Sequence, residues 1–358
     1  DETYVTIDST TDQIDWDLDR SLMELTVSGA GIGGTFGGEI TQSENLEVLG
    51  LMYLDAGSWH QAGYSLSVSN LIVTDGVTLD IGNGDLSISQ SLVAGLSSIL
   101  SGSGNSTFFR ANDHDNAISG NTTIIDKKIV FWAPPPKTAT WTLEGDLTIV
   151  GDLTINTNCT LDLAAHTLTV TGYIWVNGTL DGSDPSSNVF IGKNWNSSSG
   201  SFQEGTGSVW FYGNNEARVS SAVDDFYNLY IRKTGLAQAV TISTILSVAG
   251  NVRVDSGRFW ITSDLSLNGN LTVASGASFR CNANNTAIFF NNNDLVGYWI
   301  NAGALFELTA SSGNEILLRS NAAGDQWDFF DNGENSLRYI SVQDGDASGG
   351  NTVMHWFG

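Results

Sequence analysis

Cysteine, proline and basic side chains are all scarce in this chain. Two cysteines in 358 residues, Cys159 and Cys281, exclude a disulfide-dense scaffold and a cysteine-rich zinc site. Cys159 lies two residues before Leu161 and Cys281 two after Phe279. Both therefore read as small buried apolar side chains, with a disulfide between them as the alternative. Lys and Arg number 14 against 39 Asp and Glu, a net charge of −25. A field of that sign repels phosphate backbones and anionic headgroups, which argues against nucleic acid and lipid surfaces as partners. The same carboxylates suit divalent cations. No apolar run is long enough to span a membrane, and the opening Asp1-Glu2 carries no leader pattern, so a leader has been removed or none was needed. Helical spacing is missing as well: no window sustains apolar residues at i, i+3, i+4 and i+7.

What the chain has instead is 40 glycines, abundant Ser, Thr and Asn, and apolar residues that alternate with polar ones. That combination favours strands and turns. Three windows share one pattern. The first reads Leu71-x-Val73, Leu79-x-Ile81, Leu86-x-Ile88 and Leu92. The second reads Leu153-x-Ile155, Leu161-x-Leu163, Leu168-x-Val170 and Ile174-x-Val176. The third reads Val252-x-Val254, Phe259-x-Ile261, Leu265-x-Leu267 and Leu271-x-Val273. Residues two apart share one face of a strand, so each pair is a short strand with one inward side. The linkers, such as Asn156-Thr157-Asn158 and Asn268-Gly269-Asn270, hold residues that tolerate tight bends.

Strands this short have almost no core as hairpins. Closing every third one into a coil supplies a core. Matching positions return after about twenty residues: Leu66 to Leu86, Leu153 to Ile174, Leu246 to Leu265 and Val252 to Leu271. The expected fold is all-β, a right-handed parallel β-solenoid (β-helix) with three short strands per coil of 19 to 21 residues, stacked at ~4.8 Å per coil. The unequal linkers fit a left-handed hexapeptide helix poorly.

The spacing lapses at about 101–142, 182–206 and 282–300, which read as corner insertions of the kind that carry recognition. Three of the four prolines stand together at Pro134, Pro135 and Pro136. The resulting division is an N-terminal cap or assembly strand at 1–30, a first solenoid segment with an insertion at 31–132, a proline-rich boundary at 133–142, and a second segment with corner insertions at 143–358. Solenoid ends expose strand edges that associate unless covered. The segments around Tyr4, Ile7 and Trp16 at one end, and Trp356 and Phe357 at the other, are the candidates for covering or joining them.

Gly151-Asp152-Leu153-Thr154-Ile155 and Gly269-Asn270-Leu271-Thr272-Val273 resemble the degenerate repeats of secreted bacterial and archaeal surface proteins, adhesin-like, and of viral fibres. The stretch from Gly205 to Phe211, followed by Phe226-Tyr227-Asn228-Leu229-Tyr230-Ile231, is similar to a unit of such proteins. The resemblance implies a β-solenoid on a cell surface, filament or virus particle, and it transfers no catalytic residue.

Right-handed β-helices also include polysaccharide lyases and hydrolases, which need clustered carboxylates beside Lys or Arg. Here the basic residues are scattered. Asp15, Asp17 and Asp19, and Asp344 and Asp346, read first as solvated corners and second as Ca2+ ligands. Asp113-His114-Asp115 with Asp126 is a weaker transition-metal candidate, and no other cofactor is expected. Sequons stand at Asn105, Asn121, Asn158, Asn177, Asn196, Asn270 and Asn284, about the number that composition alone produces. Trp175 lies between Ile174 and Val176, and Trp260 between Phe259 and Ile261, so both rings point outward, toward a neighbouring subunit, a covering loop or a sugar. The leading expectation is a non-enzymatic structural subunit of an extracellular filament, joining copies of itself head to tail. Behind it stand a glycan- or receptor-binding adhesin or tail-fibre module, and last a polysaccharide-degrading enzyme.

Overall fold

The computed structural model describes residues 4–8, 13–16, 21–28, 39–42, 45–55, 57–95, 99–102, 106–111, 116–221, 226–291, 296–322, 327–343 and 345–346. For the strands before residue 40, and for residues 99, 345 and 346, only the backbone is described. Every element among them is a strand, and the strands stack as a β-solenoid of about 13 turns. The chain divides into two compact units, Asp1–Asp181 and Gly182–Gly358.

In the first unit each turn contributes one strand to each of three parallel faces. The first face runs through Ser58–His60, Thr78–Gly82, Ile99–Gly102 and Thr167–Val170. The long strands Leu46–Leu54, Leu66–Val73 and Leu86–Ala94 bend midway, at a register shift, and serve the second and third faces in turn. In the second unit the first face includes Ser208–Gly213, Asn228–Lys233, Val252–Ser256 and Leu271–Val273. The second includes Ala239–Ile242, Arg258–Ile261 and Ser278–Cys281. The third runs from Leu246–Val248 through Leu265–Leu267 and Ala287–Phe290 to Ile340–Val342.

All four returns expected from the sequence are Cα partners in parallel ladders: Leu66 with Leu86, Leu153 with Ile174, Leu246 with Leu265, and Val252 with Leu271. The pairs face inward as alternation requires. Leu153, Ile155, Leu161, Leu163, Leu168 and Val170 have no exposed surface. Like stacks on like, so each inward position forms a column, and the aliphatic columns are the core.

The stretches where spacing lapses also hold strands, at Ser106–Arg110, Asn116–Ser119 and Thr122–Trp132, at Asn188–Ile191, Trp195–Ser197 and Ser201–Gln203, and at Ala287–Phe290 and Tyr298–Ile300. Aromatic and polar residues share their inward positions with aliphatic ones such as Ile118, Ile124 and Ile191, which interrupts the aliphatic pairing. Phe109 stacks on Phe131 at 4.7 Å with Trp141 edge-on at 4.9 Å, all three fully buried. Thr107, Asn116, Thr122 and Asp126 are buried alongside them. Residues 133–142 lie within the first unit, where the Lys137 N–H donates to the Pro134 carbonyl at 2.8 Å. The lengths of the coils vary at their corners: Asn251 meets Asn270 after 19 residues, and Asn270 meets Gly297 after 27.

Candidate functional site

The Gly-Asn/Asp-Leu-x-Val/Ile pattern is explained residue by residue at one corner. Leu and Val or Ile are the inward pair. Gly is needed because successive coils touch there: a Cβ on Gly269 would lie 2.2 Å from the Gly250 carbonyl oxygen, and one on Gly172 would lie 2.4 Å from that of Gly151. Asn or Asp supplies an acceptor for the next coil. Asn228 Oδ1 accepts from the Asn251 N–H at 2.9 Å. Asn251 Oδ1 accepts from the Asn270 N–H at 3.1 Å and from the Asn270 side-chain amide at 3.0 Å. Asn270 Oδ1 accepts from the Gly297 N–H at 2.9 Å. In the first unit Asp152 Oδ1 does the same for the Tyr173 N–H at 2.9 Å, and Asn45 Oδ1 for the Ser65 N–H at 2.9 Å. Corner N–H groups that no strand would satisfy are satisfied by these ladders.

Trp175 and Trp260 are only partly exposed, each between two buried neighbours. Trp175 stacks on Tyr173 at 5.1 Å. The Trp260 indole N–H donates to Asn282 Oδ1 at 2.7 Å, and the Arg280 guanidinium sits 5.1 Å from its ring centre. A row of outward aromatics that sequence reasoning passed over runs across the first face of the second unit. Phe190, Trp210 and Tyr230 are register neighbours, stacked at 5.6 Å and 4.1 Å with planes within 19° of parallel. The signal was present, since Val189-Phe190-Ile191 and Val209-Trp210-Phe211 follow the same outward parity as Trp175. Beside the row, Arg232 lies 4.9 Å from the Trp210 ring and pairs with Asp255 at 3.0 Å, and Arg253 pairs with the same carboxylate.

Among the sequons, Asn121, Asn158 and Asn284 are exposed, and Asn177, Asn196 and Asn270 are half-buried. Asn105 lies outside the described residues, as do Asp17, Asp19, Asp344, Trp356, Phe357 and the Asp113-His114-Asp115 stretch. Tyr4, Ile7, Asp15, Trp16 and Asp346 are placed by backbone alone. The strands of Tyr4, Ile7, Asp15 and Trp16 belong to the first coils, where Tyr4–Asp8 pairs with Ser21–Ser28 and Gln13–Trp16 with Glu39–Gln42. Among the described residues no three of His, Cys, Asp and Glu gather closely enough to hold a metal ion. Asp126 is 2% exposed, accepting the Thr107 hydroxyl at 2.9 Å.

Cys159 and Cys281 are both buried free thiols. Burial pushes the Cys159 thiol up to about 12 and raises Cys281 as well, leaving both inert as nucleophiles near neutral pH. Lys233 is the other buried ionisable group of note, with no exposed surface. Its ammonium donates to the carbonyls of Tyr212 at 2.7 Å and Gly192 at 2.8 Å, one and two coils back. No helix among the described residues is long and apolar enough to cross a membrane. Comparison of the chain with protein families, with curated proteins and with solved structures finds no match.

Proposed function

We propose that the chain is a non-enzymatic structural subunit of an extracellular filament or surface fibre, whose copies join through open strand edges at the solenoid ends. One observation carries the reading. Among the described residues, Tyr4–Asp8 and Gln13–Trp16 each pair with a strand on one side only. Glu334–Arg338 and Ile340–Val342 at the other end of the sequence do likewise. A row of unpaired N–H and C=O groups on a parallel strand is a template for another strand. An interface made between two different ends repeats without closing, which makes a fibre. The glycan-binding alternative is weaker, because Phe190, Trp210 and Tyr230 turn their ring faces toward one another and leave edges for a sugar.

Electron microscopy of the purified chain at rising concentration tests this, together with proline placed at Val5 or at Thr6. Adjacent residues of a strand point their N–H groups to opposite sides, so one of the two substitutions removes a donor from the open edge. Polymers that shorten or vanish with one of them are expected. Monomers at every concentration, or polymers indifferent to both prolines, would contradict the proposal.

A further inference from the structure

Asp126 and Lys233 are buried in a molecule whose other ionisable groups, Asp331 and the two cysteines aside, mostly face water. In the first unit Asp126 ends the inward run Thr122, Ile124, Asp126, at the bend from the first face to the second. Its carboxylate accepts from the Thr107 hydroxyl and from the Lys127 backbone N–H at 2.6 Å. In the second unit Lys233 ends the inward run Leu229, Ile231, Lys233, at the corresponding bend. Glycines at Gly192, Gly213 and Gly257 border the Lys233 site. The Lys233 ammonium is capped by the Gly192 and Tyr212 carbonyls, Gly213 is its register partner, and a Cβ on Gly257 would lie 2.5 Å from the Lys233 Cβ. Among the described residues neither group forms an ion pair.

We propose that Asp126 and Lys233 add pH dependences of opposite sign to the stability of the two units, the Asp126 contribution being present in acid and the Lys233 contribution in alkali. A buried charge without a counter-ion favours its neutral form, which is the acid for a carboxyl and the free base for an amine. Burial raises the Asp126 carboxyl and pushes the Lys233 ammonium down to about 8. The folded chain therefore holds the Asp126 proton to higher pH than the unfolded chain does. Its contribution is present in acid and is lost as pH climbs through the raised value. For Lys233 the unfolded chain holds the proton longer, so its contribution to stability rises as pH climbs from about 8 toward 10.5.

The charged and titratable groups on the surrounding strands and bends do not reverse these directions. Around Asp126 they are Asp80, Asp85, Arg110, Lys127, Lys128 and Asp152, and the Asp85 charge acts in the same sense as burial. Around Lys233 they are Lys193, Tyr212, Arg232, Arg253, Asp255 and Arg258. The carboxylate among them, Asp255, is taken by the outward Arg232 and Arg253.

Hydrogen–deuterium exchange on the whole chain reads each unit separately, and comparing wild type with a variant at equal pH cancels the intrinsic pH dependence of exchange. Against Asp126→Asn, the wild-type protection of residues 122–132 and 147–155 should fall as pH rises above the ordinary 3.8. Against Lys233→Arg, which stays charged, the wild-type protection of residues 228–233 and 252–256 should rise from about pH 8 to about pH 10, by up to about tenfold per pH unit. Lys233→Met, which has no charge at any pH, replaces the arginine variant if that one does not fold, and the same rise is expected. A flat ratio in either unit, or ratios that move in the same direction, overturns the proposal. So does carbon-13 NMR showing the Asp126 carboxyl and the Lys233 amine titrating at the ordinary 3.8 and 10.5.

Discussion

Leu153 is in register with Ile129 before it and Ile174 after it, and all three have no exposed surface. Truncating it opens a void between two stacked side chains that the ladder holds at a fixed spacing, so relaxation is limited. Leu153→Ala should cost about 2–5 kcal/mol, read from urea or guanidinium unfolding. The cysteines give a second check at this scale. Neither should react with a disulfide reagent at pH 8 in the folded chain, and both should react once denaturant is added. The Cys159 thiol keeps its proton in the fold well beyond the unfolded value of 9.0, so its contribution to stability is intact below that pH and declines above it. Parity in the sequence was enough to put both thiols inside. The same parity also places Asp126 and Lys233 inside, as third members of the runs Thr122-x-Ile124-x-Asp126 and Leu229-x-Ile231-x-Lys233. Asp126 was read as a metal-ligand candidate and Lys233 was not read at all, because a charged residue ending an apolar pair looks like the start of a solvated corner. What decides the matter is the space beside it, supplied by Gly192, Gly213 and Gly257 from other coils, which no local window contains.

At the scale of the element, corners matter as much as strands. Asn251 receives two hydrogen bonds from Asn270 and donates its N–H to Asn228. Asn251→Ala should therefore destabilise the second unit by about 1–2 kcal/mol, whereas Asn251→Asp keeps the acceptor and should retain most of that, as Asp152 does naturally in the first unit. Chemical denaturation of the two variants distinguishes a ladder from a mere turn preference, since Asp and Ala would differ little if the corner asked only for a flexible residue. Aliphatic pairs made the strands of three windows legible together with their partners. The strands around Phe109, Phe131 and Trp141 were not legible as coils. The rings stand at inward positions that aliphatic side chains hold elsewhere, so the aliphatic pattern breaks while the alternation and the ladders persist.

For the whole molecule, each coil rests on the one before and the one after, and stability is close to a sum of neighbour terms. Residues 252–270 make up one full turn, because Val252 and Leu271 are register partners and Asn251 reaches Asn270 across 19 residues. Deleting that turn would set Leu271 against Leu229, and Asn270's place would pass to Asn251. The shortened chain should stay folded, with circular dichroism and cooperative melting like the parent. A deletion of about half that length brings inward residues to the wrong face and should leave the second unit unfolded. The inward columns make the solenoid legible and say nothing of its use, because a use is written in the outward rows, where alternation constrains nothing.

The corner acceptors carry a consequence for descent. A coil that brings its own Gly, its own Asn and its own inward pair is a module with matching joints on both sides. A duplicated stretch of coding DNA that spans one whole turn inserts silently into the stack, while one of any other length is exposed to selection at once. Such a chain can drift in length by complete turns as readily as other proteins drift in sequence.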